Sequence, residues 1–474
     1  MLRSYPASPH KKLKGEKIMS NNTKKKGEFG SRFGYIMVAA GAAIGLGNIW
    51  KFPYLAYRGG GGIFLLTYIV IIVLMAHPMV EMETAIGRYG KADTVTVFEK
   101  INPKWAFVGW IANLCTLMIN FYYVVVGGWV LKYAVHFIVS GNFGDVDAFY
   151  NSVISSPVSP VVYAFILLAV VMYMLLNGIT EIVEKVSKVM MPALFVILII
   201  CAIYGCVTLP GAVDGLKYYL IPAPENFSFK VFADAATQVL FSVGIGWGLF
   251  TTLGANLTDT TNLKHDALLV SVMDTFAAIT AGFVVIPTAY GAGIELQAGP
   301  SLLFKVMTGI YANIPGGRFI GSFFFIAVTF AVISSLFSFF EVNIKTAEVK
   351  LGMGRKKAIL AVGGLILVGN VLVSLGWGPL SGLTLPWPSV QGIAMYNLHD
   401  WFDCFSGYVL LPLGCLLTCL FVVKGWGWEG YTKELHKHDP QNSKPLTKFD
   451  KSLIVFAIPA FMVIVLLNVF GFLN

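Results

Sequence analysis

The stretch AAGAAIGLGNIWKFP, from Ala39 to Pro53, sets Gly41, Gly45 and Gly47 beside Asn48 inside an apolar run long enough to cross a bilayer. A second apolar run, TQVLFSVGIGWGLFTTLGANL from Thr237 to Leu257, carries Gly244, Gly246 and Gly248 near its midpoint. Glycines gathered at membrane depth invite a break in the helix. Each backbone group freed by a break costs on the order of several kcal/mol in hydrocarbon unless something binds it. Free carbonyls suit a cation, and free amides at the start of a half-helix suit an anion. Asn48 adds a neutral oxygen of the kind that ligates a hard cation such as sodium. The plainer readings are close helix packing by the GxxxG of Gly41 and Gly45, and an interhelical hydrogen bond from Asn48. Asp274 is a third chemical group. A carboxylate in an apolar segment costs about 2.5 to 3.5 kcal/mol on insertion scales and so calls for a partner or a function.

The elements that must position these groups follow from composition. Of 474 residues, 56% are hydrophobic and 12% charged, and the mean hydropathy is +0.73, which excludes a soluble globular domain. Apolar runs of about 20 residues, the length that crosses the hydrocarbon, predict about eleven helices at 33–56, 62–88, 105–139, 158–176, 186–209, 231–256, 265–292, 318–352, 356–375, 398–424 and 448–472. Lys and Arg gather in the N-terminal tail and in alternate loops (Arg88, Lys91, Lys100 and Lys104; Lys185 and Lys188; Arg355 to Lys357), whereas 140–157 and 377–397 contain none. The positive-inside rule therefore puts the N-terminus in the cytoplasm, and an odd number of crossings puts the C-terminus outside a plasma membrane. The net charge of +9 is accounted for by these loops and implies no nucleic acid; the basic tail is a weaker candidate for contact with anionic membrane lipid. Residues 1–30 read as a cytoplasmic basic tail, with Met19 as an alternative start, and 31–474 as one membrane domain. The six cysteines show neither zinc spacing nor a disulfide framework and read as packing residues.

The two glycine-interrupted runs are the first and sixth helices, corresponding members of two five-helix halves. Such a pair points to an inverted-repeat transporter with its site at the midplane.

GAAIGLGNIWKFP, GGGGIFLLTY, METAIGRYG, FYYVVVGGW, DAATQVLFS and AVISSLFSFFE together resemble the neurotransmitter:sodium symporter family, from about Lys26 to the end of the chain. The resemblance implies an all-α membrane protein with the LeuT fold: a 5+5 inverted repeat plus an eleventh helix, with helices 1 and 6 unwound at the midplane. It also implies two sodium sites. One would use carbonyls of Gly41, Ile44 and Ala331 with the hydroxyls of Ser334 and Ser335. The other would use Ala43, Asn48, Ser242 and Asp274. For a substrate, the amides around Leu46 and Gly47 and the Tyr123 hydroxyl would meet a carboxylate, and carbonyls of Ala43, Phe241 and Ser242 an amino group. Ile119, Phe241, Gly244, Trp247, Ser335 and Phe339 would line the side-chain pocket. Lys51 and Asp403 would pair as an outer gate, where many relatives have arginine. Lys26, Phe29 and Arg32 would hold the tail against the bundle, with Glu348 as acidic partner.

The function so implied is sodium-coupled symport of an amino acid by alternating access. Monoamine-carrying relatives tend to place aspartate where this chain has Gly45, so the substrate should bring its own carboxylate, and a hydrophobic or aromatic amino acid fits the pocket. Asp274 stands where many relatives have asparagine. Chloride-dependent relatives hold the anion with groups matching Tyr68, Gln238 and Ser242 plus a serine where this chain has Ala278, so the carboxylate would replace chloride and could carry a proton in antiport. Many relatives also begin the fifth helix with a glycine ten residues before the proline; here Pro192 is kept but the earlier position is Ile182. The alternative is a carrier of a decarboxylated aromatic amine with weak or no sodium coupling. An intramembrane enzyme is a distant third, since Asp234 and Asp274 lack a GxGD or HExxH setting and His77 and His136 stand alone.

Overall fold

The computed structural model describes residues 28–390, 392–442 and 444–473; Lys26 lies outside them. Among the described residues nine continuous helices are long and apolar enough to cross a membrane: Gly62–Gly90, Pro103–Val139, Ser159–Leu176, Ile179–Thr208, Leu263–Ala292, Gly317–Lys350, Arg355–Leu375, Leu398–Trp426 and Lys448–Val469. Two further spans are broken. The first runs Arg32–Ala43 and resumes as Gly47–Arg58, bent by 58°. The sixth runs Phe229–Val243 and resumes as Leu249–Gly254. With both counted, the eleven spans expected from the apolar runs are present.

The breaks have local causes. Ser31 caps the first half-helix by accepting from Gly34 N, and Ile44 leaves it in an extended conformation at ψ 105°. In the sixth span Gly244, Gly246 and Gly248 take φ of 73°, 87° and 72°. That left-handed region suits glycine and stops a helix. The fifth span is continuous around Ile182, because Ile179–Val183 is a wider π turn leading into Glu184–Thr208, and the positive φ falls earlier, at Gly178.

The long third and eighth spans pack on each other through buried Gly127 and Val332; a β-carbon on Gly127 would meet Val332 Cγ1 at 2.6 Å. They form the core wall against which the first span lies. The apolar runs left the elements between the spans unannounced, among them the short helices Thr94–Ile101, Val146–Ser155, Ala212–Leu220 and Trp428–Leu435. Thr384–Ser389 and Gly392–Asn397 pair antiparallel as a hairpin between spans 9 and 10, with Trp387 opposite Ala394.

Candidate functional site

The site is the set of groups that satisfies the two breaks. In the first span, Gly45 N donates to Asn48 Oδ1 (3.0 Å), Leu46 N to the Tyr123 hydroxyl (3.0 Å), and Gly47 O accepts from Gln238 Nε2 (3.0 Å). In the sixth, Gly246 N donates to the buried Glu83 carboxylate of span 2. Glu83 was not singled out by the sequence reading, although a carboxylate inside the apolar second span was a signal of the same kind as Asp274.

Two clusters of oxygens flank the first break. Ser335 Oγ lies 3.3 Å from Gly41 O, 3.1 Å from Ile44 O and 3.1 Å from Ala331 O, and Ser334 Oγ lies 3.0 Å from Ala331 O. A hydroxyl has one hydrogen. It can serve one of the three carbonyls at a time, so lone pairs are left over, which is the arrangement a cation satisfies. Gly41 is needed for the approach, since a β-carbon there would meet Ser334 Cβ at 2.9 Å.

The second cluster joins spans 1, 6 and 7. Asn48 Nδ2 donates to Asp274 Oδ1 (2.7 Å) and Ser242 Oγ (2.8 Å), Ser242 Oγ donates to Asp274 Oδ2 (3.0 Å), and Tyr68 OH stands 3.5 Å from the same carboxylate oxygen. All are buried, Asn48 and Asp274 completely. Ala43 closes the adjoining half-helix, and Ala278 is buried one turn beyond Asp274. The Asn48 amide is fixed at both ends, its Oδ1 accepting from Gly45 N and its Nδ2 donating to the carboxylate, so Ser242 Oγ and the Asp274 carboxylate are the side-chain oxygens gathered here.

Between the clusters lies an aromatic box. Ring centroids of Tyr123 and Phe339 are 5.5 Å apart, Phe339 and Trp247 5.1 Å, and Trp247 and Phe241 5.7 Å. Ile119 is buried on the same helix as Tyr123. A β-carbon on Gly47 would meet the Phe241 ring at 2.8 Å, and one on Gly244 would press Leu249 and Trp247 at 3.1 and 3.4 Å.

The two ends of this box differ. At one end a cavity of about 290 Å³ descends past Lys51, Asp403 and Tyr408 to Leu46, Tyr123 and Phe241. Lys51 and Asp403 both line it, but they do not pair. The ammonium donates to Tyr408 OH (2.8 Å) and sits 4.4 Å over the Phe241 ring, because a lysine end group is a point charge that aromatic faces can hold, without the planar fork that matches a carboxylate.

At the other end the chain is latched. Arg32 pairs with Asp266 at 2.6 Å and touches His265, Gly30 N donates to Glu184 Oε2 at 2.7 Å, and Phe29 packs edge-on against Tyr35 at 5.3 Å. Glu348 is not the acidic partner here: it faces Arg355 (3.5 Å), which also pairs with Glu341 at 2.7 Å. Asp266, in the first turn of span 7, lies beside Arg32 and takes that role.

An all-helical bundle with two helices broken at mid-depth, oxygen clusters at the breaks and an aromatic box between them defines a carrier of the inverted-repeat type. The profile of the sodium:neurotransmitter symporter family matches residues 26–151 and 151–472, and the chain belongs to that family. It is 31% identical to an uncharacterized sodium-dependent transporter of Haemophilus influenzae, over 86% of this chain and 91% of that protein. It is 29% identical to another of Bacillus subtilis, over 94% and 98%. Among solved structures, the crystal structure of MhsT in complex with L-phenylalanine superposes with a TM-score of 0.83 at 30% identity, covering 94% of this chain and 99% of that one. The fold is therefore the LeuT fold.

Proposed function

We propose that the chain couples the inward movement of sodium to uptake of a hydrophobic or aromatic amino acid across the plasma membrane, by alternating access and without chloride. The observation that carries the reading is the pairing of Leu46 N with Tyr123 OH at 3.0 Å, beside Gly45. The Tyr123 hydroxyl accepts from Leu46 N and so keeps its own O–H to donate to a substrate carboxylate at the positive end of a half-helix. No acidic side chain competes there, because Gly45 has none. The Phe241, Trp247 and Phe339 rings bound the space where an apolar side chain would lie, and MhsT, of the same fold, is a structure with bound L-phenylalanine.

Gly41, Ile44, Ala331, Ser334 and Ser335 are proposed to hold one sodium ion, and Ala43, Asn48, Ser242 and Asp274 the other. The fixed negative charge of Asp274, with Ala278 in place of a hydroxyl-bearing residue, supports replacement of chloride by a carboxylate that returns as a proton carrier. In this orientation the N-terminus and the Arg32 latch are cytoplasmic, Lys51 lines the external vestibule and the C-terminus is outside, as the distribution of Lys and Arg favours.

The testing experiment is thermal stability of the purified chain against amino acids and their decarboxylated amines, each in sodium and in potassium. Stabilisation by an apolar amino acid only in sodium is expected. Stabilisation by amines alone, or equally in potassium, would refute it.

A further inference from the structure

Spans 10 and 11 are joined at the Arg32 end of the bundle by a short helix, Trp428–Leu435, and the loop that follows. This helix is bolted to span 2 on one side. Arg88 Nε donates to Glu434 Oε1 at 2.7 Å, Arg88 Nη1 to Thr261 O at 2.7 Å, and Tyr431 OH to Glu81 Oε1 at 2.8 Å, all through largely buried groups.

The other side is open. With the loop and the start of span 11 it walls a cavity of about 520 Å³, whose lining includes Trp428, Lys433, His436, Lys437, Leu446 and Lys451. Glu429 is the single acid among the lining residues. Lys437 is paired with Asp259 at 3.1 Å and Glu434 at 3.7 Å. Lys433 and Lys451 have no carboxylate partner among the described residues; the Lys451 ammonium stands 5.6 Å over the Trp428 ring. Two ammonium groups without a carboxylate partner, on the lining of one concave surface, suit an anion with several acceptor oxygens.

The position says which anion. The cavity lies where two spans leave the apolar slab, Trp428 forms part of its wall, and span 11 shows Phe449 and Phe456 at 62% and 69% exposure just beyond it. Aromatic rings at this level mark the headgroup region, and exposed phenylalanines below it are what acyl chains cover. Basic pockets between spans on the cytoplasmic side suit lipid phosphates.

We propose that this cavity is a binding site for the phosphate headgroup of an anionic phospholipid, held by Lys433 and Lys451 against Trp428. A bound headgroup would also compete with Asp259 for Lys437. Asp259 lies in the 257–262 loop, which borders the cavity beneath the Arg32 latch, so lipid at this site would loosen one tie on the loop that closes the cytoplasmic end.

The test uses the full chain, purified and delipidated in detergent, with retained lipid read by native mass spectrometry and stability by thermal shift. Dioleoylphosphatidylglycerol, dioleoylphosphatidylcholine, inorganic phosphate and glycerophosphoglycerol are compared. The glycerol lipid should bind and raise the melting temperature, the choline lipid should not, and the two soluble phosphates should act only at concentrations at least tenfold higher. Lys433→Gln with Lys451→Gln should weaken phosphatidylglycerol binding at least tenfold. Lys356→Gln with Lys357→Gln, which removes the same charge from the first turn of span 9, should not. Equal binding of both lipids, equal loss in both double variants, or soluble phosphate as effective as the lipid would each overturn the proposal. The comparison of lipids on the native chain stands whether or not the variants fold.

Discussion

Asp274 holds Asn48 at 2.7 Å and Ser242 at 3.0 Å, so one carboxylate on an unbroken span ties together the two broken ones. If it takes the place of chloride, uptake by the native protein persists when chloride is replaced by gluconate. Asp274→Asn should cut uptake at least tenfold in gluconate and recover part of it in chloride. With a pH dye trapped inside vesicles, substrate addition should make the lumen more alkaline for the native chain and not for the variant. Loss of native uptake in gluconate would contradict the replacement, and an unchanged dye would contradict proton return.

Gly45 stands where any side chain intrudes: its β-carbon would lie 2.6 Å from Tyr123 OH and 3.0 Å from Ser335 Oγ. Gly45→Asp adds a negative charge at the place proposed for the substrate carboxylate. Amino acid affinity should fall at least a hundredfold, about 2.7 kcal/mol, in a scintillation proximity assay. Full retention of affinity would mean that the carboxylate docks elsewhere.

Ser335 can satisfy only one of Gly41 O, Ile44 O and Ala331 O with its single hydrogen. Sodium at 100 times its dissociation constant should stabilise the native chain by about 2.7 kcal/mol. Ser334→Ala and Ser335→Ala should each shift the sodium titration of the melting temperature to at least tenfold higher concentration. Coincident titrations would remove these residues from the cation site.

Much of this was legible in the chain because the membrane makes the grammar strict. Runs of about 20 apolar residues mark crossings, and glycines at matching positions mark Gly41 to Gly47 and Gly244 to Gly248 as breaks. What the sequence could not show was pairing across the bundle. Lys51 went to Tyr408 and not to Asp403, and Arg32 to Asp266 and not to Glu348, because charge partners are chosen by proximity after the spans have packed. The same holds for Gln238, which binds Gly47 O at 3.0 Å. The hairpin at Thr384–Asn397 escaped because its alternation is interrupted by Pro386 and Pro388, residues that a free strand edge tolerates.

Arg88 and Glu434 form an ion pair at 2.7 Å with side-chain exposures of 0% and 4%. Removing one partner of such a pair leaves a buried charge and costs roughly 3–5 kcal/mol. Glu434→Gln should therefore lower the melting temperature clearly, whereas Asp214→Asn, whose partner Lys217 is exposed, should leave it within about 1 kcal/mol of native stability. Equal melting temperatures for the two variants would show that the Arg88 bolt is dispensable.

The account as a whole rests on coupling between sodium and substrate, and uptake into proteoliposomes measures it most directly. With an inward sodium gradient, a radiolabelled apolar amino acid such as phenylalanine should accumulate above its external concentration, collapse when the gradient is dissipated, and fail to accumulate in potassium. Accumulation that is the same with potassium replacing sodium, or entry that never exceeds equilibration under the gradient, would contradict sodium-coupled symport.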